Sequence, residues 1–292
     1  MSSAVDAAIG LARSLGVRAG EPEVLSDGAN VIVHLRPAPV VARVATLTAL
    51  IRPGVAAWLG RDIALAEFLA AQGVPVVTPS ADLPPGPHER DGFAISFFTY
   101  VEHDDVTPSP ATVGAMLGEL HAALRSYPGE LPSGGPFDDT EQSVVFLAAS
   151  GAITGEQAEL FRAEADRLRG ALAGVPVQPL HGDAHPGNLI ASRKGLLWND
   201  FEDTWRGPAA WDHACLANTR RLDGWAALEA LPSPPDAEAL DACLALRRLF
   251  GVLWRLVFAD RFPHRRAEAE AHLASWLDQR SASRAARSRR SR

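Results

Sequence analysis

The segment Pro179-Leu-His-Gly-Asp-Ala-His-Pro-Gly-Asn-Leu-Ile-Ala-Ser-Arg-Lys-Gly-Leu-Leu-Trp-Asn-Asp-Phe-Glu-Asp203 decides the reading of this 292-residue chain. Leu189-Ile-Ala191 and Leu196-Leu-Trp198 are short apolar runs separated by Ser192-Arg-Lys-Gly195, the signature of a β-hairpin with glycine at a positive-φ corner. A loop of three or four residues sets Asp200 opposite Asn188 or beside it, with Cα atoms roughly 4.5 to 5.5 Å apart. Asp183 precedes Asn188 by five residues, across the Pro186-Gly187 turn, which folds its carboxylate back toward the same point. Carboxylate, amide and carboxylate thus meet at one hairpin mouth. Such an oxygen set suits Mg2+, which takes a few protein oxygens and completes its shell with water and phosphate. It also leaves Asp183 to orient an acceptor hydroxyl and take its proton, the two requirements of phosphoryl transfer.

Upstream of this segment the chain changes character once. A helical pattern over residues 4–15 is followed by Val31-Ile-Val-His-Leu35 and Val40-Val-Ala-Arg-Val44, a hairpin that sets Leu35 opposite Val40. A helix over 61–71 ends at Gly73, and a β region, 74–101, turns at Arg90-Asp-Gly92. From Pro110 the apolar period becomes helical, with Val113, Met116, Leu117, Leu120 and Leu124 on one face and proline at the first helical position. Helices over 141–150 and 155–173 follow, then the β segment, then a helix carrying Leu246, Leu249, Phe250, Leu253 and Val257 on one face, and a last helix over 265–279. The organisation read from this is an N-terminal lobe of mixed β and α structure, 1–102, a larger helical lobe with a short β insertion, 103–280, and a tail, 281–292.

Composition narrows the classes. Hydrophobic residues make up 47% of the chain, enough for a full core. The longest candidate for a membrane span, Leu249 to Trp254, is cut by Arg255, far short of the ~20 apolar residues a bilayer demands, and the N-terminus does not read as a secretory signal; a cytoplasmic location is expected. Cys215 and Cys243 are the only cysteines, too few for a disulfide framework or a cysteine-rich zinc site. Of the 28 basic residues, six arginines fall in the last thirteen positions, which hold no acid; the remaining 22 face 35 acids. The body is therefore strongly acidic, which disfavours nucleic acid and suits cationic or neutral small substrates, while the Ser/Ala/Arg tail reads as disordered.

His181-Gly-Asp-Ala-His-Pro-Gly-Asn188, followed by Asn199-Asp-Phe-Glu-Asp203 and Gly207-Pro-Ala-Ala-Trp-Asp212, resembles the aminoglycoside phosphotransferase (choline kinase-like) family of small-molecule kinases. The similarity extends more weakly to Leu117-Gly-Glu-Leu-His121 and the N-terminal lobe, covering about residues 20–260. The resemblance implies an α+β, two-lobed protein-kinase-like fold, with a small β-rich N-terminal lobe and a larger, mainly helical C-terminal lobe. It also implies ATP or GTP as donor, Mg2+, Asp183 as catalytic base, Asn188 and Asp200 as metal ligands, and a small-molecule hydroxyl acceptor such as an aminoglycoside, amino sugar or amino alcohol. Antibiotic resistance belongs to the same implication. The expected assembly is a monomer or dimer, with no membrane or nucleic-acid partner.

In the family's small lobe a strand lysine holds the α- and β-phosphates and pairs with a helical glutamate. Here Arg43 stands at the lysine's position, a departure, since arginine grips phosphate with a planar fork rather than as a point charge. Its expected partner is Asp62, with Glu67 as second choice. Ser26-Asp-Gly-Ala-Asn30 resembles the loop that covers the nucleotide, placing Ser26, Gly28 and Asn30 there, although one glycine makes a poor phosphate cradle. The end of the β region, Phe97-Phe-Thr-Tyr-Val101, corresponds to the hinge, where the base meets backbone near Thr99 and Val101. His181 and Asp212 read as supports of the catalytic loop, Asp212 bracing it or capping a helix, and His121 as a core histidine. Trp198 reads as core, with Trp205 and Trp211 available to roof a substrate pocket. Two other functions compete: a nucleotide-binding regulator without catalysis, and an iron or zinc oxygenase site formed by His181, Asp183 and His185.

Overall fold

A computed structural model describes residues 2–104 and 106–290, with side chains through 281. It begins with α1 (Ser2–Ser14), whose Ala4, Ala7, Ala8, Leu11 and Ala12 form the buried stripe of a helix lying on a sheet. That sheet has five antiparallel strands, β1 (Glu23–Asp27), β2 (Asn30–His34), β3 (Val40–Ala45), β4 (His88–Arg90) and β5 (Phe93–Thr99), in the order β1-β2-β3-β5-β4. Strand alternation divides its faces. Val31, Val33, Val40, Ala42, Val44, Ile95 and Phe97 join α1 in one apolar cluster. The opposite face carries Ile32, Arg43 and Ser96 in a row across three strands. The β2–β3 register extends to the Leu35 N–H on the Val40 carbonyl, 2.8 Å, and Asp91-Gly92 turns β4 into β5.

Between β3 and β4 lie α2 (Leu47–Ile51) and α3 (Val55–Ala71). The five residues of α2 are too few to show a period, which is why the sequence reading leaves them out. α3 begins six residues before the expected start, because Val55 to Leu59 continue its helical pattern and Leu59 is buried with Ile63, Leu65, Ala66 and Leu69. α4 (Pro110–Leu124) starts where proline predicts, with the Ser109 hydroxyl accepting the Thr112 N–H at 3.1 Å. Then come α5 (Pro136–Ala149), α6 (Gly155–Ala171) and four short strands, β6 (Val177–Pro179), β7 (Leu189–Ser192), β8 (Gly195–Trp198) and β9 (Arg206–Pro208); β6 pairs with β9 and β7 with β8. The chain ends in α7 (Ala210–Ala217), α8 (Gly224–Leu228), α9 (Ala237–Arg261) and α10 (Arg266–Arg290). α10 continues into the stretch read as a disordered basic tail; the side chains beyond 281, and residues 291 and 292 entirely, lie outside the described residues.

Packing groups the chain into two compact units, Met1–Gly135 with Leu172–Leu244, and Pro136–Ala171 with Ala245–Arg292. The segment 179–203 and α7 thus share a unit with the N-terminal sheet. In the second unit Phe161 packs on Trp276 at 4.8 Å between ring centroids, and Glu164 takes an ion pair from Arg280. Among the described residues no helix is long and apolar enough to cross a membrane. Both cysteines are buried thiols.

Candidate active site

The β7–β8 hairpin pairs Leu189 with Trp198 and Ser192 with Gly195, and the Asn199 N–H extends the ladder to the Asn188 carbonyl at 3.0 Å. Asp200 therefore stands one residue past the partner of Asn188, beside it rather than opposite. The loop before β7 closes on itself. The Asn188 amide nitrogen donates to the Asp183 carbonyl (2.9 Å) and to Asp183 Oδ2 (3.3 Å), while His185 Nε2 meets the same Oδ2 at 3.1 Å. The charge of Asp183 opposes, without reversing, the lowering of the Asp200 pKa, so the two carboxylates lie within one electrostatic field.

Two buried networks brace this arrangement. Asp212 on α7 accepts the N–H groups of His181 and Gly182, each at 2.9 Å, and His121 Nε2 meets its Oδ2 at 2.8 Å. It is fully buried; burial pushes its pKa up, but the His121 hydrogen bond and charge hold it below the usual range. Gly182 has φ +92° and its Cα faces the Asp203 carbonyl so closely that any side chain would collide with it. The Trp211 indole N–H, 2.5 Å from the Gly182 carbonyl, fixes the other side.

The second brace is a buried ion cluster. Arg43, on the open face of the sheet, reaches Asp200 Oδ1 at 2.6 Å, Glu202 at 3.2 Å and Asp62 at 3.4 Å. Asp62 accepts the Phe201 N–H at 2.9 Å, tying α3 to the hairpin. Arg52, just past α2, adds Glu202 at 3.3 Å and Asp203 at 2.5 Å, and its guanidinium lies 4.1 Å over the Trp58 ring. Asn30 donates to both Glu202 carboxylate oxygens at 3.2 Å and accepts from Thr48 at 2.6 Å. Burial raises the pKa of Asp62 and Glu202, opposed by Arg43; Asp200 is lowered because the charge and hydrogen bond of Arg43 outrun its burial. Such a cluster persists only with partners for each charge, and here every acid has an arginine.

The structure thus brings Arg43, Asp62, Asp200 and, through Glu202, Asn30 to one place, with His181, Asp183, Asn188 and Asp212 beside it. Asn30 lies inside the buried cluster and is not free to cover a nucleotide. Ser26 lies in β1 opposite Ile32, Gly28 follows in the β1–β2 turn, Thr99 ends β5 and Val101 lies two residues beyond it, all outside the ion cluster. The Thr99 N–H is committed to the Thr78 carbonyl at 2.9 Å, so it is not available to a base. Trp205 and Trp211 are 3% and 1% exposed, which removes them as a pocket roof. The oxygenase reading fails on hydrogen bonding. His181 Nδ1 accepts the Asp183 N–H (3.3 Å) and its Nε2 faces the Asn199 carbonyl (3.1 Å), while both nitrogens of His185 are equally occupied. Among the described residues no three His, Cys, Asp or Glu side chains surround a metal position.

A family model for the phosphotransferase enzyme family matches residues 28–248. The chain belongs to this phosphotransferase family. No curated protein matches it in sequence. Among solved structures, choline kinase LicA from Streptococcus pneumoniae is similar at 18% identity, over 92% of this chain and 98% of that one, with a TM-score of 0.62. A choline/ethanolamine kinase family protein from Mesorhizobium loti is similar at 20% identity, over 95% and 94%, with a TM-score of 0.62. The gentamicin-APH(2")-IIa complex gives 14%, 93% and 95%, and 0.59. The fold is therefore protein-kinase-like, with a β-rich N-terminal part and a larger helical part. Membership of this family makes the protein a phosphotransferase enzyme. Arg52, Glu202 and Asp203 are the residues of the site that sequence reading did not assign; three acids in Asp200-Phe-Glu-Asp203 signalled a need for a second cation, but nothing local identified Arg52 as its source.

Proposed function

We propose that the phosphotransferase moves the γ-phosphate of ATP or GTP to a hydroxyl of a small amine-bearing molecule, with Asp183 as base. The observation that carries this is the Arg43–Asp200 contact, which joins the sheet's cation to the hairpin mouth one residue past the cross-strand partner of Asn188 and within the field of Asp183. Asp183 accepts the hydrogen bond of the acceptor hydroxyl and takes its proton as that oxygen attacks the γ-phosphorus. Arg43 turns its fork toward the α- and β-phosphates, with Asp62 retaining the guanidinium. Val101 offers backbone to the base, since the Thr99 N–H is committed.

The donor set fits Mg2+. Asn188 spends its nitrogen on Asp183, which turns the amide oxygen toward the role of ligand, and Asp200 is held anionic. One carboxylate and one amide, completed by phosphate oxygens, is the usual composition of such a site. Bound there, the metal supplies charge neutralisation on the transferred phosphoryl group.

The excess of acids supports an amine in the acceptor, as do the gentamicin and kanamycin in complexes of two similar folds. A panel of aminoglycosides, amino sugars and amino alcohols, incubated with ATP and GTP in parallel, is expected to yield a phosphorylated acceptor with the wild type and none above about a thousandth of that rate with Asp183→Asn. Undiminished transfer by the variant refutes Asp183 as base. A non-catalytic nucleotide-binding regulator is the second reading, motivated by arginine in place of lysine at position 43 and by the single glycine of the loop Ser26-Asp-Gly-Ala-Asn30; nucleotide binding without transfer to any acceptor selects it.

A further inference from the structure

His185 lies between Asp183 and the turn that carries Asn188, and its two ring nitrogens do different work. The Gly187 N–H points at Nδ1 from 2.8 Å, as in an N-cap of the short 3-10 turn Pro186–Asn188. A nitrogen facing an N–H must be an acceptor, so the ring proton sits on Nε2. Nε2 lies 3.1 Å from Asp183 Oδ2 and therefore donates to it. The backbone amide of residue 187 thus sets the tautomer that the carboxylate of residue 183 requires. Glycine at 187 is part of the device, because a Cβ there would run into the His185 ring at Cε1 and Nδ1.

We infer that His185 is a positioning residue for the reaction: its Nε2–H, together with the Asn188 amide, fixes the plane of the Asp183 carboxylate. The inference rests on the reading of Asp183 as base, and assigns the orientation of that base to a second side chain. Two donors on one oxygen, at 3.1 and 3.3 Å, stop rotation about the Cβ–Cγ bond. A carboxylate free to rotate spends much of its time out of line with an acceptor hydroxyl, and a misplacement of about 1 Å costs on the order of a hundredfold in rate. Neither donor needs to touch the acceptor for this.

Two substitutions separate this role from a merely structural cap. His185→Asn keeps an acceptor for the Gly187 N–H and removes the donor to Asp183; His185→Gln keeps the donor and removes the cap. With an acceptor found for the wild type, His185→Asn is expected to lower kcat about ten- to a hundredfold with the nucleotide KM and the melting temperature unchanged. His185→Gln is expected to retain kcat within a few-fold. Nitrogen-15 NMR of the ligand-free protein should show His185 protonated on Nε2 with Nδ1 as an acceptor. The reverse order of the two variants, equal losses in both, or a proton on Nδ1 overturns the inference. Undiminished activity of Asp183→Asn overturns the reading beneath it instead.

Discussion

His213 shows how one side chain makes stability depend on acid. Its ring is buried beside His121, 5.8 Å away between centroids, and Asp212. Burial first, and the charge of His121 second, push its pKa down to about 4 from 6.5, against the pull of Asp212. A folded pKa below the unfolded one means that the folded chain binds this proton less readily. The stabilisation is whole above about pH 6.5, drains as pH falls toward about 4, and is constant below. At 1.36 kcal/mol per unit the effect is at most on the order of 3 kcal/mol. Urea midpoints measured from pH 7 to pH 4 should fall less steeply for His213→Phe than for the wild type; parallel curves refute the assignment. Individual site residues were legible where local spacing carried them: Asp183, Asn188 and Asp200 lie within eighteen positions and one hairpin. Arg52 was not, because its partners lie 150 residues away in sequence.

α2 presents the same lesson one level up. Five residues long, it has no period to read, yet it delivers Arg52 into the ion cluster. Arg52→Met keeps the apolar stem over Trp58 and removes the charge, leaving Glu202 and Asp203 short of a partner. A loss of about 3–5 kcal/mol is expected in urea denaturation, partly restored by the second substitution Glu202→Gln, which removes the stranded charge. No loss would mean that water or Arg61 replaces the missing cation. The elements with strong local signals, β2–β3, α4 and β7–β8, were legible from the sequence. Ends were less so. α3 and α5 each begin before the expected start: α3 because Val55 to Leu59 continue its helical pattern, α5 because Pro136 and the acids Asp138 and Asp139 make a helical first turn without an apolar period.

Over the whole molecule, the formal charge of −7 at pH 7 acts at longer range than any of these contacts. A polycationic acceptor should be drawn to such a surface, and salt should weaken the attraction as the Debye length falls from about 10 Å at 0.1 M to about 3 Å at 1 M. The KM of an aminoglycoside carrying several amines is therefore expected to rise with ionic strength more steeply than that of a mono-amine acceptor. Equal slopes would remove surface charge as a source of acceptor preference. Fold class was legible at this scale because the kinase-like motif and the change from strand to helical period agree. The two packing units were not, since they join segments on either side of α5 and α6.

Asp200 holds φ at +70°, a left-handed backbone that glycine and asparagine accept more readily than aspartate. Gly or Asn there would ease the backbone but take away the charge that Arg43 meets at 2.6 Å and, in the proposed role of metal ligand, turnover with it, so position 200 is where backbone ease pulls against charge and chemistry.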